Sequence, residues 1–131
     1  MNTLELTIEN DTEKYNHIFI SMKIDGGDFL PGADKDLNSV VFPELRASSK
    51  KSGPYLIFTC CCGVADCGGW KRVNVVNEKT LIKWNFSYGN HDYNLQFDRL
   101  FYEGEIERIA FELDRLKDKT ILDPEHVIFP E

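Results

Sequence analysis

Leu4, Leu6 and Ile8 alternate with Glu5, Thr7 and Glu9, a period of two that puts one row of side chains in a core and the other in water. Ile18, Ile20, Met22 and Ile24 repeat the pattern after the polar run 10–14. Segments 3–9 and 16–24 are therefore expected to pair as a hairpin, with Asp25-Gly26-Gly27-Asp28 ending the second strand. Residues 29–53 are less regular. Pro31-Gly32 and Pro43 interrupt them, one short helical turn is expected over 33–38, and Ser48 to Gly53 reads as a solvated loop. Val40-Val41-Phe42 is expected to pack on the core from this loop. Tyr55 to Cys60 is apolar on both faces and reads as a central strand. Lys71–Val76, Leu81–Phe86 and the alternating Tyr93, Leu95 and Phe97 follow as a meander, with turns at 77–79 and 87–92.

The last third changes period. With Asp98 as N-cap, the spacing predicts a helix over 99–117, and Lys117 and Lys119 suit its C-terminal end. Tyr102, Ile106, Ile109, Ala110, Leu113 and Leu116 gather within an arc of roughly 120°, which must lie on the sheet. Gly104 weakens the early turns by about 1 kcal/mol relative to alanine. Val127-Ile128-Phe129 would add an edge strand or fold over the core. The fold class expected is α+β: one domain, 1–131, with a mainly antiparallel sheet of five to six strands and one long C-terminal helix on a face.

Composition narrows the class. At 131 residues, 42% hydrophobic and 28% charged, the chain can bury about two-thirds of its unfolded surface. No run approaches the roughly 18 apolar residues of a membrane span, and the acidic start lacks the basic, then apolar, order of a signal peptide. A cytoplasmic location is expected, where a structural disulfide is disfavoured. The net charge of −7 repels nucleic-acid phosphates and anionic membranes and suits a basic protein partner.

All four cysteines fall in Cys60-Cys61-Cys62-Gly63-Val64-Ala65-Asp66-Cys67-Gly68-Gly69. A zinc site built on Cys60, Cys62 and Cys67 needs a fourth ligand, His17 or His91, which nothing in the spacing positions. A reactive thiol needs cations or a paired histidine; Lys71 and Arg72 are near in sequence, whereas Asp66 opposes them. The third reading is a compact turn in which Gly63, Gly68 and Gly69 supply backbone freedom and small thiols fill the space beneath. That turn is preferred, without cofactor, and zinc or thiol chemistry is the alternative. No catalytic motif nominates an enzyme.

Glu103, Glu107, Asp114 and Asp118 fall within about 60° of one another on the helix, outside the apolar arc. Phe111 lies just beyond them, on the side away from the core face. An aromatic beside a row of carboxylates has the character of an interface anchor ringed by steering charge, the other reading being cover by the 29–53 loop or the tail. These five residues, with Asp34 and Asp36 in the first long loop, are the expected partner contacts. Acidic inhibitors hold basic enzymes, nucleases above all, by placing carboxylates where substrate phosphates bind.

The run Val41-Phe42-Pro43-Glu44-Leu45-Arg46, followed by Phe58-Thr59-Cys60, Cys62-Gly63 and Cys67-x-Gly69, resembles a small bacterial family in which a strand enters a C-x-C-G-x3-C-x-G loop and a β-meander follows. The match spans about residues 40–100. In format and charge the chain also resembles the immunity proteins of contact-dependent growth inhibition and related polymorphic toxin systems. That likeness implies an inhibitor that neutralises a basic toxin, and it carries no binding residue with it.

Overall fold

The computed structural model describes residues 1–10, 15–28, 38–60, 72–88, 91–116 and 118–122. Strands β1 (Leu4–Asn10) and β2 (His17–Ile24) pair antiparallel from Leu4↔Ile24 to Asn10↔Ile18, the hairpin that the alternation predicts. Leu4, Leu6, Ile18, Ile20, Met22 and Ile24 are all buried. Asp25 and Gly26 both have positive φ, 56° and 84°, so they close a two-residue turn onto β3 (Gly27–Asp28). The Asp25 carboxylate accepts from the Thr3 amide at 2.8 Å and from Asn2 Nδ2 at 2.7 Å. Those two bonds, the Thr3 amide foremost, hold its pKa below the usual carboxylate range.

Residues 38–60 depart most from expectation. β4 (Asn38–Val40) leads into helix α1 (Phe42–Ser48), which the sequence reading treats as loop because of Pro43. Pro43 stands in the first helical turn, where a missing N–H breaks no internal bond. Phe42, Leu45 and Ser48 recur every three residues and form the buried face. Ser48 and Ser49 are therefore interior rather than solvated, each hydroxyl donating to the carbonyl three residues earlier (Leu45 and Arg46).

The segment after α1 is two strands rather than one. β5 (Gly53–Tyr55) lies on the meander, and β6 (Phe58–Cys60) pairs with β4. Between them the Leu56 amide donates to Glu44 Oε1 at 3.0 Å, and the Ile57 carbonyl accepts from the Val41 amide at 2.7 Å. Burial on both faces here reflects a chain crossing between sheets, not a strand at a sheet centre.

β7 (Val73–Asn77), β8 (Leu81–Tyr88) and β9 (His91–Asp98) form the expected meander, in sheet order β5-β7-β8-β9. The described strands thus fall into three hydrogen-bonded groups, and β10 (Ile121–Leu122) adds a parallel pairing to β2. Asn2 joins two of the groups: its amide donates to the Gln96 carbonyl at 2.7 Å, and its Oδ1 accepts from the Gln96 amide at 2.9 Å.

Helix α2 (Arg99–Leu116) starts at the predicted cap, Asp98 Oδ2 accepting from the Phe101 amide at 3.0 Å. Tyr102, Ile106, Ile109 and Ala110 are buried, and α2 lies against β1, β8 and β9 with α1 at its flank. The molecule is an α+β fold, mostly sheet, with the C-terminal helix packed on it. The β1 edge is closed by side chains of α2: the Leu6 amide donates to Glu105 Oε2 at 2.7 Å, and Arg108 donates to the Leu6 carbonyl at 2.8 Å. Arg108 also pairs with Glu105 at 2.9 Å. An edge strand whose polar groups are occupied in this way is a poor template for further pairing.

At the centre, Trp84 meets Phe97, Phe58 and Tyr102 edge-on at centroid distances of 5.0, 6.0 and 6.1 Å. Trp84 Nε1 donates to the Tyr102 hydroxyl at 3.1 Å, and that hydroxyl bonds Ser48 Oγ at 2.6 Å. Tyr102→Phe strands the indole N–H in the core. It should cost about 1–3 kcal/mol, seen as a lower urea midpoint with an unchanged slope; an unchanged midpoint would show that the bonds hold nothing.

Glu105 is held below the ordinary glutamate range, chiefly by its bond from Arg108 and then by that from the Leu6 amide. Its contribution to stability is complete above the unfolded value, about 4.3, and is lost as pH falls through the lower folded value. Urea titrations between about pH 5 and 2 should therefore show a shallower loss in Glu105→Gln than in wild type. Parallel curves would exclude this carboxylate as a source of acid sensitivity.

Candidate functional site

With its inner face committed to the core, α2 turns the rest of its circumference outward. The four carboxylates expected to form one negative row divide into two kinds. Glu103 is half-buried and receives Arg99 Nε at 2.8 Å, while Arg99 also donates to the Glu78 carbonyl. Glu107 receives Arg46 of α1 and Lys50 of the turn that follows it, each at 3.3 Å. The bond from Lys50, then that from Arg46, holds its carboxyl below the usual range. Glu107 therefore belongs to a polar bridge between the helices, and its charge is offset where the unaided wheel leaves it free. Asp114 and Asp118 are exposed and carry no ion pair among the described residues.

Phe111 is 64% exposed, so its ring faces water beside these acids. Leu100, 80% exposed, shares its side of the helix, and neither residue belongs to the apolar arc read from sequence. Sequence reasoning passed over Leu100, although the same wheel that singles out Phe111 places it within about 20° of that residue. Phe101 is also exposed and borders a small apolar cavity of about 140 Å³ with Met1, Leu4, Phe97 and Tyr102.

Asp34, Asp36, Cys62 and Cys67 lie outside the described residues, and of the cysteine set only the backbone of Cys60 is placed, at the end of β6. Among the described residues no group of three or more His, Cys, Asp or Glu side chains is arranged to hold a metal ion. No described helix is long and apolar enough to cross a membrane. Comparison with protein-family models, with curated proteins and with solved structures finds no match to this chain.

What the face can do chemically is bind. Exposed apolar side chains next to uncompensated carboxylates exchange water for a partner's apolar and cationic groups. Ion pairs as exposed as Glu107 with Arg46 and Lys50 are weak and screened by salt. Glu107→Gln should therefore lower stability only slightly at low ionic strength, and about 1 M salt should erase the difference from wild type. A large, salt-independent loss would make this bridge part of the core architecture instead.

Proposed function

We propose that this is a non-enzymatic, acidic binding protein of the immunity type, which neutralises a basic protein toxin, a nuclease, by covering its active site. Phe111 is the observation that carries the reading. A large aromatic side chain stands in water on a helix, beside carboxylates that carry no ion pair among the described residues. Desolvating such a ring anchors an interface, and the acids around it set direction and speed of approach. The net charge of −7 acts over a longer range in the same sense.

Within the expected contact set, Asp114 and Asp118 supply the free charge, and Phe111 the apolar anchor. Glu107 contributes at lower cost than a buried ion pair would, because Arg46 and Lys50 are exposed enough to exchange for a toxin's lysines or arginines, and Glu103 adds its charge from the rim. Asp34 and Asp36, outside the described residues, belong to the contact set on sequence grounds alone. The carboxylates would take positions that substrate phosphates occupy in the toxin. The setting is the cytoplasm of a bacterium that makes the toxin or meets it.

The test begins beside the gene. A large secreted protein with a basic C-terminal domain should be encoded there, and that domain, purified in inactive form, should bind this protein. Asp114→Lys with Asp118→Lys should slow association about tenfold at low salt and flatten its salt dependence, with little change in dissociation. Phe111→Ala should act mainly on dissociation. A neighbouring domain that does not bind, or on-rates indifferent to the charge reversals, would overturn the proposal.

A further inference from the structure

Gly104 occupies the interior of α2, where glycine lowers helix stability. The described fold gives no return for that loss. Gly104 is exposed, its φ lies outside the left-handed region, and a Cβ there would meet nothing within 4 Å. Leu100, Gly104, Glu107 and Phe111 are spaced four, three and four residues apart, which gathers them within about 60° of the helix circumference. The stripe is thus two exposed apolar side chains, roughly 16 Å apart along the axis, with the bare backbone of Gly104 and then the ion-paired Glu107 between them.

We propose that Gly104 is the point of closest approach on this face, a notch between Leu100 and Phe111 that admits a bulky apolar side chain of a basic protein partner. The inference rests on the basic partner argued above and assigns it a shape: an apolar knob flanked by lysine or arginine. Leu100 flanks the knob on one side, and Glu107 followed by Phe111 on the other. Glu107 and, beyond Phe111, Asp114 meet the flanking cations. Without a side chain at 104, the knob reaches the helix backbone and loses water over its whole surface. A second copy of this chain fits poorly, because it would bring another net charge of −7, with Glu103 and Glu107 of its own, against the same carboxylates.

The probe is the inactive basic toxin domain encoded beside the gene, titrated against wild type, Gly104→Ala and Gly104→Leu. Because alanine favours the helix, Gly104→Ala should melt at a higher temperature than wild type, yet bind at least tenfold more weakly through faster dissociation. Gly104→Leu should bind about a hundredfold more weakly. If both bind as wild type does while Asp114→Lys still slows association, the notch is wrong and the basic partner stands. If wild type fails to bind the domain, both proposals fall. Sedimentation of the protein alone should give a monomer; a dimer dispersed by Gly104→Ala would assign the notch to a second copy and overturn the inference.

Discussion

The Tyr102 hydroxyl is the constraint on which the arrangement of this molecule depends. It lies in the core, where burial holds the phenol above its ordinary pKa and keeps it neutral. A neutral hydroxyl in that setting must be hydrogen-bonded, and its partners come from Ser48 of α1 and Trp84 of β8. One oxygen therefore fixes the relative placement of two helices and a strand that the sequence separates widely. The Ser48 carbonyl accepts from Asn77 Nδ2 at 3.0 Å, which extends the constraint into β7. With Ser48 set, Arg46 and Lys50 on either side of it are brought to Glu107. A buried bond thus determines which charges meet at the surface.

The sheet edge supplies a second hold on α2. Glu105 and Arg108 bind both polar groups of Leu6, and Asp98 caps the first turn. The helix is consequently tied at its start, along β1 and along α1. That rigidity bears on recognition, since a face whose backbone is already fixed loses little conformational entropy when a partner docks. Outer residues such as Phe111, whose ring is largely exposed, inherit the fixed geometry of the helix backbone.

The parts of this architecture legible in sequence are those with local causes. Alternation over residues 4–8 and 18–24 gives the β1–β2 hairpin, and Asp98 with the apolar arc gives α2 to within a residue of its end. What escaped depends on contacts distant along the chain. Pro43 reads as a breaker in a polar loop, yet it suits a first helical turn. The bonds from Val41 to Ile57 and from Leu56 to Glu44 hold that helical segment in place. Ser48 reads as loop until Tyr102 arrives to satisfy it. The same limit applies to the charged stripe. A helical wheel places Glu103 and Glu107 beside Asp114 and shows Arg99 four residues before Glu103. No wheel reveals that Arg46 and Lys50 come to Glu107 from outside the helix. The cysteine loop and Asp34 and Asp36 lie outside the described residues, so those expectations stand as sequence left them.

The two sides of α2 obey different rules. On the inner side each residue has a packing or bonding reason: Ile106 and Ile109 fill the core, Tyr102 joins the helices, and Glu105 closes an edge. On the outer side, the residues between Leu100 and Phe111 include choices that leave the isolated protein less stable or less soluble than alternatives would. Leu100 and Phe111 expose apolar surface, and Gly104 weakens the helix where a Cβ has open space. Folding does not require these residues, since alanine favours the helix at each of the three positions. Leu100, Gly104 and Phe111 share one stripe of the helix, and the binding role proposed for this face would account for all three.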